Sequence, residues 1–223
     1  MSKYKFIAVV VVLICGPIIF YPPQSYVEGK GDDPKKREII LMQYLAELGS
    51  KYNCFFTIEE AWKEGDPINK MESYLVQIST TSGGLQQELE NLRQAVPNLT
   101  FEFDKRNPQI VHIIDARLTK QNEYGLEKVL KSINFSGSVN DLVVAIGNQG
   151  VPVSPPILTD TRESMSQDLS TVVKINEKAL KVREALSSFI RLEGRGKVIW
   201  IARTKLGEKE VSYIQYHGPK RIS

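Results

Sequence analysis

Three groupings of residues in this chain have types and spacings that could do chemistry. Glu102 and Asp104 stand two apart, so on a strand both carboxylates share a face, as an acid–base pair for glycoside hydrolysis would need. His112 alternates with Ile110 and Ile114, and Asp115 or Arg117 could join it in a dispersed acid–base site. Gly194-Arg195-Gly196-Lys197 has the content of part of a phosphate-binding loop. Each has a plainer reading. Leu99, Phe101 and Phe103 alternate with Thr100, Glu102 and Asp104, the pattern of a strand with acids on its solvent face. No Ser or Cys occupies a nucleophile elbow that would pair with His112, which leaves it a hydrogen-bonded core or edge residue. A phosphate loop follows a strand and opens a helix, whereas residues 194–197 close a helix and open a strand, where glycine is an ordinary cap. Glu59 and Glu60 are adjacent and diverge in either a helix or a strand. His217, before Gly218-Pro219, reads as exposed.

Composition narrows the chemistry further. His112, His217 and the one cysteine outside the apolar run, Cys54, are too few for the four clustered ligands of a structural zinc site, so neither metal nor cofactor is expected. Cys15 lies in an apolar run, which leaves Cys54 without a disulfide partner in the rest of the chain. At 25% charged and 42% hydrophobic the chain is globular in composition. Its net charge of +3 is uneven: residues 177–223 carry eleven basic against five acidic side chains. Such an end reads as a solvated basic face or as a contact for an acidic envelope polymer.

Address comes from the first twenty residues. Lys3 and Lys5 precede an apolar run over 6–20 that only Gly16-Pro17 interrupts, the form of an export segment. The run is short for a spanning helix, which wants about 17–25 residues. Its cleavage flank is poor, with Pro23 where a small residue is needed, and Ile14 before Cys15 is a poor lipoprotein flank. The expectation is an uncleaved anchor at residues 1–21 in the inner (cytoplasmic) membrane, with a cleaved periplasmic form or a lipid-modified Cys15 as alternatives. The lysines would stay inside and place the remainder outside. Nucleic acid is disfavoured as a partner by that address.

The elements that must position the candidate groups follow from periodicity. Residues 22–34 read as a Pro/Gly tether. A helix is expected over 35–52, with Ile39, Met42, Leu45 and Leu48 as its stripe, then a strand over 54–58. Residues 74–80, 85–95, 99–104 and 109–115 read as strand, helix, strand, strand. The order recurs as a strand over 171–176, a helix over 179–192 and strands over 197–204 and 211–216. Between them, 123–133 and 141–146 read as helices. The expected fold class is therefore α+β: a membrane helix, then two βαββ-type units with a helix on small mixed or antiparallel sheets. Their boundaries fall at 35–118 and 170–223, joined by a helical connector at 119–153 and a polar linker at 154–169.

One strand stands out. Val198, Trp200 and Ala202 alternate with Ile199 and Ile201, so both faces are apolar, and either the other half of the chain or a partner must cover the second face. If a partner does, Ile199, Trp200, Ile201, Arg203, Tyr213 and Tyr216 form the interaction surface. The stretch from Val172 to Ile201, with Val173, Ile175, Val182, Ala185 and Leu186 at the marking positions, resembles the short N-terminal βαββ modules of secretins and TonB-dependent receptors. Residues 74–115 resemble them more loosely. No barrel sequence follows, so the resemblance implies an envelope-side interaction module and neither a pore nor a receptor. The reading is a membrane-tethered, extracytoplasmic assembly module without intrinsic catalysis, contacting an envelope protein and open to self-association. Polymer binding by the basic end and an enzyme built around His112 are the alternatives.

Overall fold

The computed structural model describes residues 36–66, 73–79, 83–96, 98–122, 124–151, 153, 172–188, 192, 197–208 and 211–216. The expected anchor, the tether, the polar linker, Gly194 to Gly196 and His217 lie outside them. No helix among the described residues is long and apolar enough to cross a membrane. Residues 35–223 form one compact α+β unit rather than two.

In chain order the elements are β1 (Lys36–Ile40), α1 (Leu41–Tyr52), β2 (Phe55–Trp62), β3 (Leu75–Ser79), α2 (Leu85–Ala95), β4 (Leu99–Phe103), β5 (Ile110–Asp115) and α3 (Ala116–Thr119). A 3-10 turn (Gly125–Glu127) leads to β6 (Val129–Gly137), α4 (Val139–Asn148), β7 (Val173–Lys181), α5 (Val182–Ser187), β8 (Val198–Lys205) and β9 (Val211–Tyr216). The two strand–helix–strand–strand runs are present, but their strands do not make two sheets. They join in one five-stranded sheet of order β4-β5-β2-β8-β9, with β2 parallel to both β5 and β8. The expected boundary between 118 and 170 is thus bridged by strand pairing.

The rest of each half covers one face of that sheet. On the first, Leu41, Leu45 and Leu48 of α1, Leu89 and Leu92 of α2, and Val76 and Ile78 of β3 bury Phe56, Ile58, Val111, Ile113 and Ile201. On the second, Leu142 and Ile146 of α4, Val182, Ala185 and Leu186 of α5, and Ile133 and Ile175 of the β6–β7 ribbon bury Ile110, Trp200, Ala202 and Ile214. Each half also contributes an antiparallel two-stranded ribbon, β1–β3 or β6–β7, of which β1 and β7 run directly into helices. Asn53, in the left-handed conformation, closes α1, its N–H donating to the Gly49 carbonyl. Gly49 has no room for a side chain: a Cβ there would lie 2.6 Å from Lys197 Cβ and 2.8 Å from the Cys54 carbonyl.

Stretches of the helices expected over 35–52, 123–133 and 179–192 are strands, although 41–52 and 182–187 are helical as expected. Residues 36–40 are β1, where the β-branched pair Ile39 and Ile40 finds antiparallel partners in Val76 and Leu75. Residues 129–137 are β6, although Leu126, Leu130 and Ile133 are buried at helical spacing. The cause is a local change of facing. Lys131 and Ser132 are both exposed, and opposite them Lys178 and Ala179 are both exposed, with Ala179 at φ 56°. That left-handed residue flips the alternation, so β7 faces inward at 173 and 175 and again at 180. In β8 a register shift opposite Phe56 and Thr57 does the same, placing Ile199, Trp200 and Ala202 in one core and Val198 and Ile201 in the other.

Candidate functional site

The chemical groups of this chain converge on the second face of the sheet. Strand pairing sets Glu102, His112, Thr57 and Trp200 in one row across β4, β5, β2 and β8, and Ile114, Glu59 and Ala202 in the next. The second half of the chain closes over these rows, so the acids expected on a solvent face lie between layers. Asp104 is buried and Glu102 mostly so, whereas Phe103 on the opposite alternation is partly exposed.

His112 is fully buried. Its Nδ1 lies 2.7 Å from Thr57 Oγ1 and its Nε2 3.3 Å from Asp104 Oδ2, with the Trp200 ring centroid 6.2 Å away. Asp104 also accepts from the backbone N–H groups of Arg106 and Asn107, which ties the β4–β5 turn to the core. Burial pushes its carboxyl up, but the His112 hydrogen bond and those two N–H donors outweigh it and hold the group below the usual range. Acid, imidazole and hydroxyl are aligned as in a nucleophilic triad, yet no solvent reaches the imidazole. Asp115 and Arg117, expected beside it, pair with each other instead: Arg117 donates to Asp115 at 2.6 Å, and Asp115 alternates to the other face.

The larger cluster was not visible in the sequence. Arg183, fully buried on α5, donates to Glu59 on β2 at 2.9 Å and to Glu102 on β4 at 2.8 Å, and lies 2.7 Å from Glu127. A second contact, Arg183 Nε to Glu59 Oε1 at 2.8 Å, is an ion pair too bent to be a hydrogen bond. Lys181 donates to Glu102 at 2.7 Å and pairs with Glu127 at 2.9 Å, while Tyr124 donates to Glu59 at 3.0 Å. Burial raises the Glu59 carboxyl above its ordinary range, against the pull of Arg183 and His112. Burial also disfavours the Arg183 cation, but Glu59 and Glu127 hold its pKa well above normal. Glu127, nearer solvent, goes down overall because Arg183 and Lys181 outweigh its desolvation. A chain of bonds then runs on: Ser187 donates to the Arg183 carbonyl at 3.0 Å and accepts from Trp200 Nε1 at 3.1 Å. An arginine amid the inward stripe Val182, Ala185 and Leu186 was the available signal, because a buried guanidinium demands carboxylates.

Of the expected interaction surface, Ile199, Trp200 and Ile201 are fully buried: the chain's second half covers Ile199 and Trp200, and α1 and α2 cover the face of Ile201. They are core residues and offer no surface. Arg203 is mostly buried and donates to Glu60 at 2.9 Å. Tyr213 and Tyr216 stand opposite Arg203 and Trp200 in register on the edge strand β9. Lys197, the last residue of the suspected phosphate loop, sits with its ammonium 4.2 Å from the centroid of the Phe55 ring. Among the described residues no group of three or more His, Cys, Asp or Glu could hold a metal. No protein-family model, curated protein or solved structure matches the chain.

Proposed function

We propose that this chain is a binding scaffold held by its N-terminal apolar segment at the extracytoplasmic face of a membrane, where it contacts another envelope protein. The observation that carries the proposal is the use to which the fold puts its reactive groups. Glu59, Arg183, Glu102 and Lys181 span β2, β4, β7 and α5, and His112, Thr57 and Asp104 span β5, β2 and the β4–β5 turn. The first set braces the sheet against α5 and the β6–β7 ribbon and the second ties neighbouring strands within the sheet, and a platform so braced suits recognition better than turnover. The strand–helix–strand–strand order of β3–β5 and of β7–β9 is that of the secretin and TonB-receptor modules, which supports an interaction role. The basic head and apolar run at residues 3–20 support the address.

Cross-linking in native membranes, followed by mass spectrometry of the full chain, tests this. Retention in the membrane fraction and one reproducible cross-linked protein are expected. A chain recovered as a soluble monomer with no specific partner would overturn it.

A further inference from the structure

The outward face of the β6–β7 ribbon has a composition unlike the rest of the molecule. Register places Ser136 beside Lys174, Asn134 beside Asn176 and Ser132 beside Lys178, and all six are exposed, as is Lys131. Alternate residues along a strand recur every ~6.7 Å and neighbouring strands lie ~4.8 Å apart. The face is therefore a strip two side chains wide, with ammonium groups at both ends of the β7 row and amides or hydroxyls at every other step. The acid in that strand, Glu177, belongs to the opposite alternation, 3.5 Å from Arg106. Lys131, Lys174 and Lys178 have no ion-pair partner among the described residues. Several cations elsewhere are paired, as Lys51, Arg93, Arg117, Lys181, Arg183 and Arg203 show.

We propose that this strip docks an extended acidic polysaccharide, with Lys131, Lys174 and Lys178 pairing its carboxylates and Asn134, Asn176, Ser132 and Ser136 hydrogen-bonding its hydroxyls. Charge complementarity favours an anion, because among the described residues three cations share the face with no ion-pair partner and no acid. The regular amide and hydroxyl groups select a hydroxyl-rich polymer over a bare charged surface. A lipid headgroup layer fits less well: the exposed apolar side chains, Val129 and Val172, stand only at opposite ends of the ribbon, and Leu130, Ile133 and Ile175 are turned inward. Single-stranded nucleic acid would want aromatic platforms, and the strip has none. This inference does not rest on the protein-contact reading.

The test uses the full chain supplied with neutral phosphatidylcholine nanodiscs, with polygalacturonate as the probe. Binding is expected to weaken about fivefold for each lysine removed in Lys131→Gln, Lys174→Gln and Lys178→Gln, and more than tenfold for the triple variant. Asn134→Ala with Asn176→Ala leaves the charge intact; it should lower affinity for polygalacturonate while leaving that for polyglutamate unchanged. Thermal unfolding of each variant should match the native chain, because none of these side chains is buried. Absence of polygalacturonate binding would overturn the proposal, as would indifference to the triple substitution. Equal competition by phosphatidylglycerol vesicles would also overturn it, assigning the strip to a membrane surface. Equal loss of polyglutamate binding in the asparagine variant would do so by removing the sugar selectivity.

Discussion

The two faces of the central sheet are packed by different physics. Against α1 and α2 the contact is dry: Leu41, Leu45 and Leu89 meet Phe56, Ile58 and Ile113, and the Tyr44–Glu88 hydrogen bond of 3.0 Å joins the helices to each other. Against α5 and the β6–β7 ribbon the contact combines a hydrophobic core with the Arg183 cluster, beside which His112 and Asp104 are bonded within the sheet. Apolar burial is strong but tolerant of small shifts in placement. A guanidinium that must meet Glu59, Glu102 and Glu127 at once admits one placement of α5 on the sheet. The dry face thus supplies stability, and the polar face fixes how the second half is seated.

The sharpest way to break this comparison is Arg183→Met, which strands the buried Glu59 carboxylate and should cost about 3–5 kcal/mol in urea unfolding. Leu45→Ala on the dry face should cost a similar ~2–5 kcal/mol through its cavity. The double variant Arg183→Met with Glu59→Leu separates the two: it should recover most of the loss while hydrogen exchange in α5 stays fast. Recovery of both together would refute the seating role. Gly49→Ala follows, at about 1–3 kcal/mol, because its methyl group meets Lys197 and Cys54.

The polar face should also carry the pH dependence. Asp104 and Glu127 titrate lower in the fold than in the unfolded chain. The stability they add is complete above the unfolded carboxylate values of about 4 and is lost as pH falls through their folded values. Glu59 runs the other way, its folded value being raised, so its contribution is full at low pH and is lost as pH rises through that value. Urea midpoints between pH 3 and 7 should fall toward acid in the native chain, more gently in Glu127→Gln and more steeply in Glu59→Gln. Identical curves would show that the cluster does not titrate with folding. The smallest effect is a gain: Ala179→Gly relieves a left-handed alanine and should stabilise by about 0.5–1 kcal/mol.

What was legible in the sequence was what depends on neighbours. Helix α2 and strand β9 fall where the stripe Leu85, Leu89 and Leu92 and the run from Val211 place them. Leu126, Leu130 and Ile133 misled because the change of facing at Lys131 and Ala179 gives a strand the spacing of a helix. The joining of the halves into one sheet was beyond reach, because parallel pairing of β2 with β8 depends on residues about 140 apart. Arg183 was visible as a charge in an apolar stripe, but its carboxylates come from three distant segments.

The central place of β8 also bears on how the chain comes to be folded. Until Val198–Lys205 has emerged, β2 has an unpaired inner edge of eight residues, mostly apolar and ready to pair with another chain. A sheet whose two halves are joined by its second-to-last strand has high contact order and closes slowly. Early release of a truncated chain would therefore leave a strand open to aggregation, and a folding helper that shields such edges would act on β2 first.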